Sequence, residues 1–208
     1  MISINKKLNN LESIVDQINK IKIKKKIFLN IKFQLNSKTY NIKPINSFIL
    51  YRLFAFYKKF SKKEREYFGY PLFKPTNIKF IKFKEKYKEY LLEKKFWHYF
   101  ILYHNKKIIG LSYIKKIGFK NKKKEKNKSP TIGGPFLLKK FRKRNLGFIL
   151  LMVCIFQAKI LKLPFLYSRV VTTNYSAIRN AEKCGFVKTG EKFFINKKNY
   201  DFEYKIKL

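Results

Sequence analysis

Asn174–Phe186 reads N-Y-S-A-I-R-N-A-E-K-C-G-F. Asn is among the best residues for opening a helix, because its side-chain oxygen takes an orphan amide of the first turn. Ala177, Ile178 and Ala181 then share one helical face. Gly185 supplies a left-handed stop, after which Phe186 enters a strand. Upstream, across an apolar helix and a strand, lies F-R-K-R-N-L-G at Phe141–Gly147. This string is a basic, turn-prone opening to another helix. Main-chain N–H groups at such a turn lack partners within the helix, and the helix dipole adds positive potential there. The combination makes an anion site. Asn145 tolerates the left-handed region better than any residue but Gly, so the sharp turn survives without glycine at that point.

The charge around this site points the same way. From Glu125 to Glu182 there is no intervening carboxylate, while eleven Lys or Arg fall in the interval. A surface for a polyphosphate excludes like charges. The whole chain carries 50 Lys and Arg against 12 Asp and Glu, a formal +38 over 208 residues. Such a field attracts polyanions and anionic membrane surfaces through its lysines, nonspecifically. Lys outnumbers Arg 44 to 6, however, and Ile, Asn, Phe and Tyr are also abundant. A strongly AT-biased genome produces this composition whatever the function. Arg, the better residue for bidentate phosphate or base recognition, is scarce. Composition alone therefore does not make this a nucleic-acid protein.

Apolar content of 46% excludes wholesale disorder and gives one domain of ordinary size a core. Cys154 and Cys184 are too few for a disulfide framework, and no metal-ligand spacing is present. The longest apolar run, Leu146–Phe156, is too short to span a bilayer, and Met1–Asn10 lacks the apolar core of a secretory signal. These features imply an intracellular protein, cytoplasmic or organellar.

Along the chain, Leu8, Leu11, Ile14, Val15 and Ile18 fall at helical spacing. Ile27–Leu35 and Thr39–Pro44 read as strands, and Ile49–Phe60 as an aromatic helix. Ser61 with Glu64 forms a capping box for the next helix, and Tyr87–Lys94 is a further helix. Phe96–Tyr103 and Ile108–Ile117 are strands joined at His104–Lys107 as a hairpin. Lys120–Lys128 reads as a solvated loop. Thr131–Leu138 is a strand, Leu146–Leu163 a buried helix stopped by Pro164, and Phe165–Val171 a buried strand. Phe186–Val187, Lys192–Ile195 and Tyr200–Ile206 complete the sheet. The expected division is a basic N-terminal extension over 1–36, with a short helix and strand, and one domain over 37–208.

In order and spacing, the two stretches resemble the acyl-CoA-binding half of the GNAT (GCN5-related) N-acetyltransferase family, whose pyrophosphate loop runs (Arg/Gln)-x-x-Gly-x-(Gly/Ala). Arg142, Asn145 and Gly147 occupy its defined positions. The likeness covers Phe96–Phe186 and, more loosely, Thr39–Phe68, where Tyr51, Phe54, Tyr57 and Phe68 suit a cover over an acceptor site. It implies a mixed, mostly antiparallel α/β sheet flanked by helices, with strands splayed at the cofactor. It implies acetyl-CoA as cosubstrate, a primary-amine acceptor and no metal. The cofactor would be held by Leu137, Leu138, Arg142, Lys143, Arg144, Asn145, Leu146, Gly147, Phe148 and Asn174. The thioester carbonyl would be polarised by an amide near Leu137 or Leu138. Two departures stand out. The family's Tyr seven residues after Asn174 is here Ala181, and Thr131–Leu138 carries no acid. Catalytic side chains are thus unassigned, with Tyr175, Tyr167, Ser168, His98 and His104 as replacement candidates. The alternative is a basic RNA- or ribosome-associated protein built on a degenerate domain of this kind.

Overall fold

The computed structural model of the chain describes residues 2–5, 29–45, 50–61, 64, 97–116, 129–194 and 200–208. Within them lie strands β1 (Ile2–Asn5), β2 (Leu29–Leu35) and β3 (Lys38–Pro44), then helix α1 (Leu50–Tyr57), then β4 (Trp97–His104) and β5 (Lys107–Lys115). After β6 (Thr131–Leu137) come a short 3-10 turn (Lys139–Phe141), α2 (Leu146–Ile160), β7 (Phe165–Val171) and α3 (Tyr175–Lys183). The chain closes with β8 (Val187–Phe194) and β9 (Tyr200–Lys207). The expected helices over 8–18 and 87–94 and the lysine loop at 120–128 lie outside the described residues.

All nine strands form one sheet in the order β1-β2-β3-β4-β5-β6-β7-β9-β8. Only β1–β2 and β6–β7 pair in parallel; the other neighbours are antiparallel. The mixed, mostly antiparallel α/β architecture expected from the sequence is therefore the one found. Two tight hairpins shape its middle. Asn105 and Lys106 both take positive φ, as the two-residue turn between β4 and β5 requires, and Asn36 and Ser37 do the same between β2 and β3. The boundary expected after residue 36 thus falls inside a hairpin turn. β1 had no strand signal in the sequence.

α2 is apolar on every side, and 13 of its 15 residues are buried. It lies on the sheet face that carries Gly110 and Ser112: Leu150 borders Gly110, and the Cys154 thiol donates to Ser112 Oγ at 3.4 Å. Burial pushes both cysteine thiols up to about 12, so neither is a ready nucleophile. Alternation places Tyr103 on the opposite face, where it senses the charge of Arg52 in α1. α2 stops three residues earlier than Leu163. Lys162 adopts φ 54° and the Leu163 amide reaches back to Ala158 O at 3.1 Å, a left-handed cap made without glycine. Among the described residues, no helix is long and apolar enough to cross a membrane.

Candidate functional site

β6 and β7 are neighbours, yet they share a single paired position, Thr131 with Tyr167. Beyond it no pair joins the two strands on the way to Leu137 and Val171, and the unpaired interval between them is a candidate cleft. Splayed strands were expected here, and register explains which amide serves the cleft. Leu138 N–H donates to Ile109 O at 3.0 Å, which makes Gly110–Leu137 a non-hydrogen-bonded pair. The Leu137 amide and carbonyl then turn away from β5, toward β7. Of the two amides expected near the thioester, Leu138's is committed to the sheet and Leu137's faces the gap.

The chain next folds through the 3-10 turn into α2. Lys143 and Asn145 both sit in the left-handed region, at φ 59° and 57°. Asn145 is the helix N-cap, and its side chain makes no capping bond. Among the described residues, no hydrogen bond from the amides of Lys143 to Phe148 accompanies this turn, while the Asn145 carbonyl opens the helical ladder to Ile149. Those amides form a concave set of donors at the positive end of a 15-residue helix. Leu146, Gly147 and Phe148 are buried, so these residues can offer a ligand only main chain. Lys143 is exposed, and Arg144 is half-buried over the Phe141 ring.

Arg142 behaves differently from the expectation of a phosphate-facing cation. Its Nε donates to Leu137 O at 3.0 Å and its Nη2 pairs with Glu64 Oε1. The second Glu64 oxygen accepts from the Ser61 amide at 2.9 Å, and the Glu64 amide donates to Ser61 Oγ at 3.2 Å. The capping box seen in the sequence is thus formed, and its carboxylate also clamps the loop. The Ser61 amide and the Arg142 guanidinium hold the Glu64 carboxyl below its ordinary range.

Gly147 is close-packed rather than open to a ligand. A Cβ there would lie 3.0 Å from Pro135 Cγ and 3.1 Å from Asn180 Nδ2. α3 begins as expected: Asn174 Oδ1 accepts from the Ala177 amide at 3.3 Å. Gly185, at φ +87°, closes it, with Phe186 N–H bonded to Ala181 O at 3.0 Å.

The replacement catalysts do not converge. Tyr175 is 70% exposed at the start of α3. Ser168 is buried, on the face of β7 opposite Tyr167 by alternation. Tyr167 packs edge-on against Phe165 at 5.3 Å. His104 binds Thr39 O at 2.9 Å, at the far end of β4 from His98. Burial, with Lys116 adding to it, holds the His98 imidazole down at about 4, hence neutral. Ala181, standing where the family has Tyr, is buried. Sequence reasoning missed the Glu64 clamp, the left-handed Lys143 and the Asn180 contact. The capping box at Ser61–Glu64 was the one available hint of the first; the other two leave no residue-type signal.

Solved structures share this fold. RimL, a ribosomal-protein alpha-N-acetyltransferase, superposes with a TM-score of 0.65 at 10% identity, over 86% of this chain and 96% of its own. A spermidine N-acetyltransferase from Vibrio cholerae, in complex with CoA and spermine, gives 0.61 at 20% identity over 83% and 96%. A Salmonella typhimurium protein described as a putative acetyltransferase, solved with acetyl-CoA, gives 0.60 at 12% over 81% and 94%. A search of curated proteins by sequence finds no significant match. The acetyltransferase (GNAT) family model matches residues 57–186, which is more than half of the chain and includes the cleft, the loop and α3, and the chain accordingly belongs to that family.

Proposed function

We propose that this chain is an acyl-CoA-dependent N-acyltransferase, moving acetyl from acetyl-CoA to a primary amine by direct attack in a ternary complex. The observation that carries the reading is the loss of β6–β7 pairing beyond Thr131, on the strand that leads into the left-handed turn and its amides at residues 143–148. A diphosphate on those amides leaves a pantetheine arm in register with the gap, and its thioester against the Leu137 N–H. That amide stabilises the oxyanion as the amine adds, since a fixed donor aimed at developing charge needs no reorganisation. Asn174, at the head of α3 beside the cleft, is the side chain proposed to contact the arm.

The chemistry then runs without a dedicated acid. The neutral amine attacks the carbonyl carbon, the extra proton on the adduct's nitrogen leaves to water, the C–S bond breaks, and the thiolate takes a proton from water, since Ala181 provides no hydroxyl. Two buried cysteines with thiols pushed up to about 12 disfavour a covalent relay. Holding both reactants in line can supply roughly 7–11 kcal/mol of the barrier reduction. The experiment is thiol release from acetyl-CoA across a panel of primary amines, with the acetylated product confirmed by mass. Initial-rate lines that intersect, and a kcat/KM that climbs with pH as the amine deprotonates, are expected. Parallel lines would replace direct attack with a covalent intermediate, and no amine-dependent thiol release would remove the activity.

A further inference from the structure

Against the loop and the β4–β5 turn lies a cavity of about 740 Å³. It is lined by residues 138–141 and 144, the β4–β5 turn, Lys38 and Lys59, and by nothing from Asn145 onward, β7 or α3. Its size suits one or two nucleotide units. Half of its twelve lining residues are Lys or Arg, against 50 of 208 in the chain, and none is acidic. A second hollow continues it along α1 through Lys59 and Lys107, adding Arg52 and Lys106. The two make a single basic groove around the end of the sheet.

Two features distinguish this groove from lysines scattered over a basic surface. The cations are held together rather than spread: Lys140 and Arg144 both stack on Phe141, at 5.3 and 5.8 Å from its centroid. Among the described residues no carboxylate pairs with any cation of the groove; the ion pair in this region, Arg142 with Glu64, lies beside it. Like charges gathered on one ring repel, and an anion between them relieves that repulsion. The floor is apolar and aromatic, with Ile108, Ile109, Leu138 and Phe141 beside the His104 ring.

We propose that this groove binds single-stranded RNA, with its lysines on successive phosphates and a base against the Ile108–Leu138–Phe141 floor. A repeating phosphodiester suits a track of point charges over an apolar floor. A carboxylate-bearing peptide would be better matched by Arg forks, and five of the six cations in the main cavity are Lys. The groove stands on its own residues, whether or not the cleft transfers acetyl.

The test is fluorescence anisotropy of a labelled oligouridylate titrated with the full chain across a salt series. Lys38→Glu with Lys107→Glu reverses two exposed groove charges. Lys159→Glu with Lys162→Glu makes the same net change at the other end of α2, about 20 Å from the loop. The groove pair is expected to weaken binding more than about tenfold and to flatten the log–log salt slope by about 1.4, while the control pair changes affinity by less than about threefold. Equal losses in the two pairs would overturn the proposal, leaving a diffuse field. So would displacement of the oligonucleotide by acetyl-CoA, or polyglutamate of matched charge binding as tightly and losing the same factor. Thermal melting checks folding of each variant. If the reversed pair does not fold, Lys38→Gln with Lys107→Gln must show a smaller loss in the same order.

Discussion

Gly147→Ala probes the packing that seats the helix over the proposed anion site. The new Cβ would lie 3.0 Å from Pro135 Cγ, 3.1 Å from Asn180 Nδ2 and 3.6 Å from Leu137 Cδ1. Relaxed carbon contacts sit at about 3.5–4.0 Å, so the shortfall against Pro135 is about half an ångström. Asn180 can swing its amide aside, whereas Pro135 is a ring fixed in β6. The first turn of α2 must therefore shift. Overpacking of this kind costs about 1–3 kcal/mol, and the better helix propensity of Ala returns up to about 1. We expect a net loss of about 1 kcal/mol, seen as a melting point lower by roughly 2–4 °C. The same shift moves the donors at Asn145–Phe148, so acetyl-CoA affinity, measured by calorimetry, should fall about tenfold, or about 1.4 kcal/mol. Gly147→Val, with a branched Cβ, should lose more of both. An alanine variant that melts lower yet binds acetyl-CoA as the parent does would refute the link between this contact and the donor set. Unchanged stability would refute the packing argument itself.

Asn145 is held at φ 57°, ψ 2°; replacing it by Gly should leave stability within about 0.5 kcal/mol, whereas Val should cost about 1–2 kcal/mol in urea unfolding. A Val variant as stable as the Gly variant would mean that the turn does not need the left-handed region. Asn174→Ala removes the acceptor of the Ala177 amide and should cost about 1 kcal/mol by thermal denaturation; Asn174→Ser, which keeps a cap, should recover most of it. His98 titrates at about 4 in the fold against 6.5 in a free chain. Below pH 6.5 the unfolded chain takes a proton that the folded one refuses, so stability is full above 6.5 and drains as pH falls toward 4, by about 3 kcal/mol. Unfolding of His98→Phe should lack that part of the pH dependence; an identical curve would show that His98 is not its source.

The segments read correctly from sequence are those decided by neighbours in the chain. Asn174 and Gly185 fix both ends of α3, and the unbroken apolar run from Leu146 forces a buried helix. The turn at Asn105 likewise announces itself by residue type, whereas the one at Asn36 was read as a domain boundary. What could not be read depends on distant partners or on residues acting against type. Arg142 looks like a free cation until Glu64, 78 residues earlier, is placed against it. Lys143 and Lys162 take left-handed φ with no local preference for it, so the surrounding fold imposes the conformation. The choice of Leu137 over Leu138 follows from the pairing register of β6 on β5, which a one-residue slip would reverse.

These particulars share a cause. A site built from main-chain amides demands a backbone path and sets few conditions on side chains. Arg142 can be diverted to clamp Glu64, Asn can stand in for Gly at 145, and Leu146 and Phe148 can turn wholly into the core, while the donors stay where the turn puts them. Sequence identities of 10–20% alongside TM-scores of 0.60–0.65 are what such a site permits. The positions where the resemblance implies side-chain chemistry, Ala181 and the acid-free strand Thr131–Leu138, are those where the match fails. A reaction driven by alignment of its two reactants loses least from that change, and this is why the proposed mechanism rests on the cleft and its amides rather than on a substitute acid.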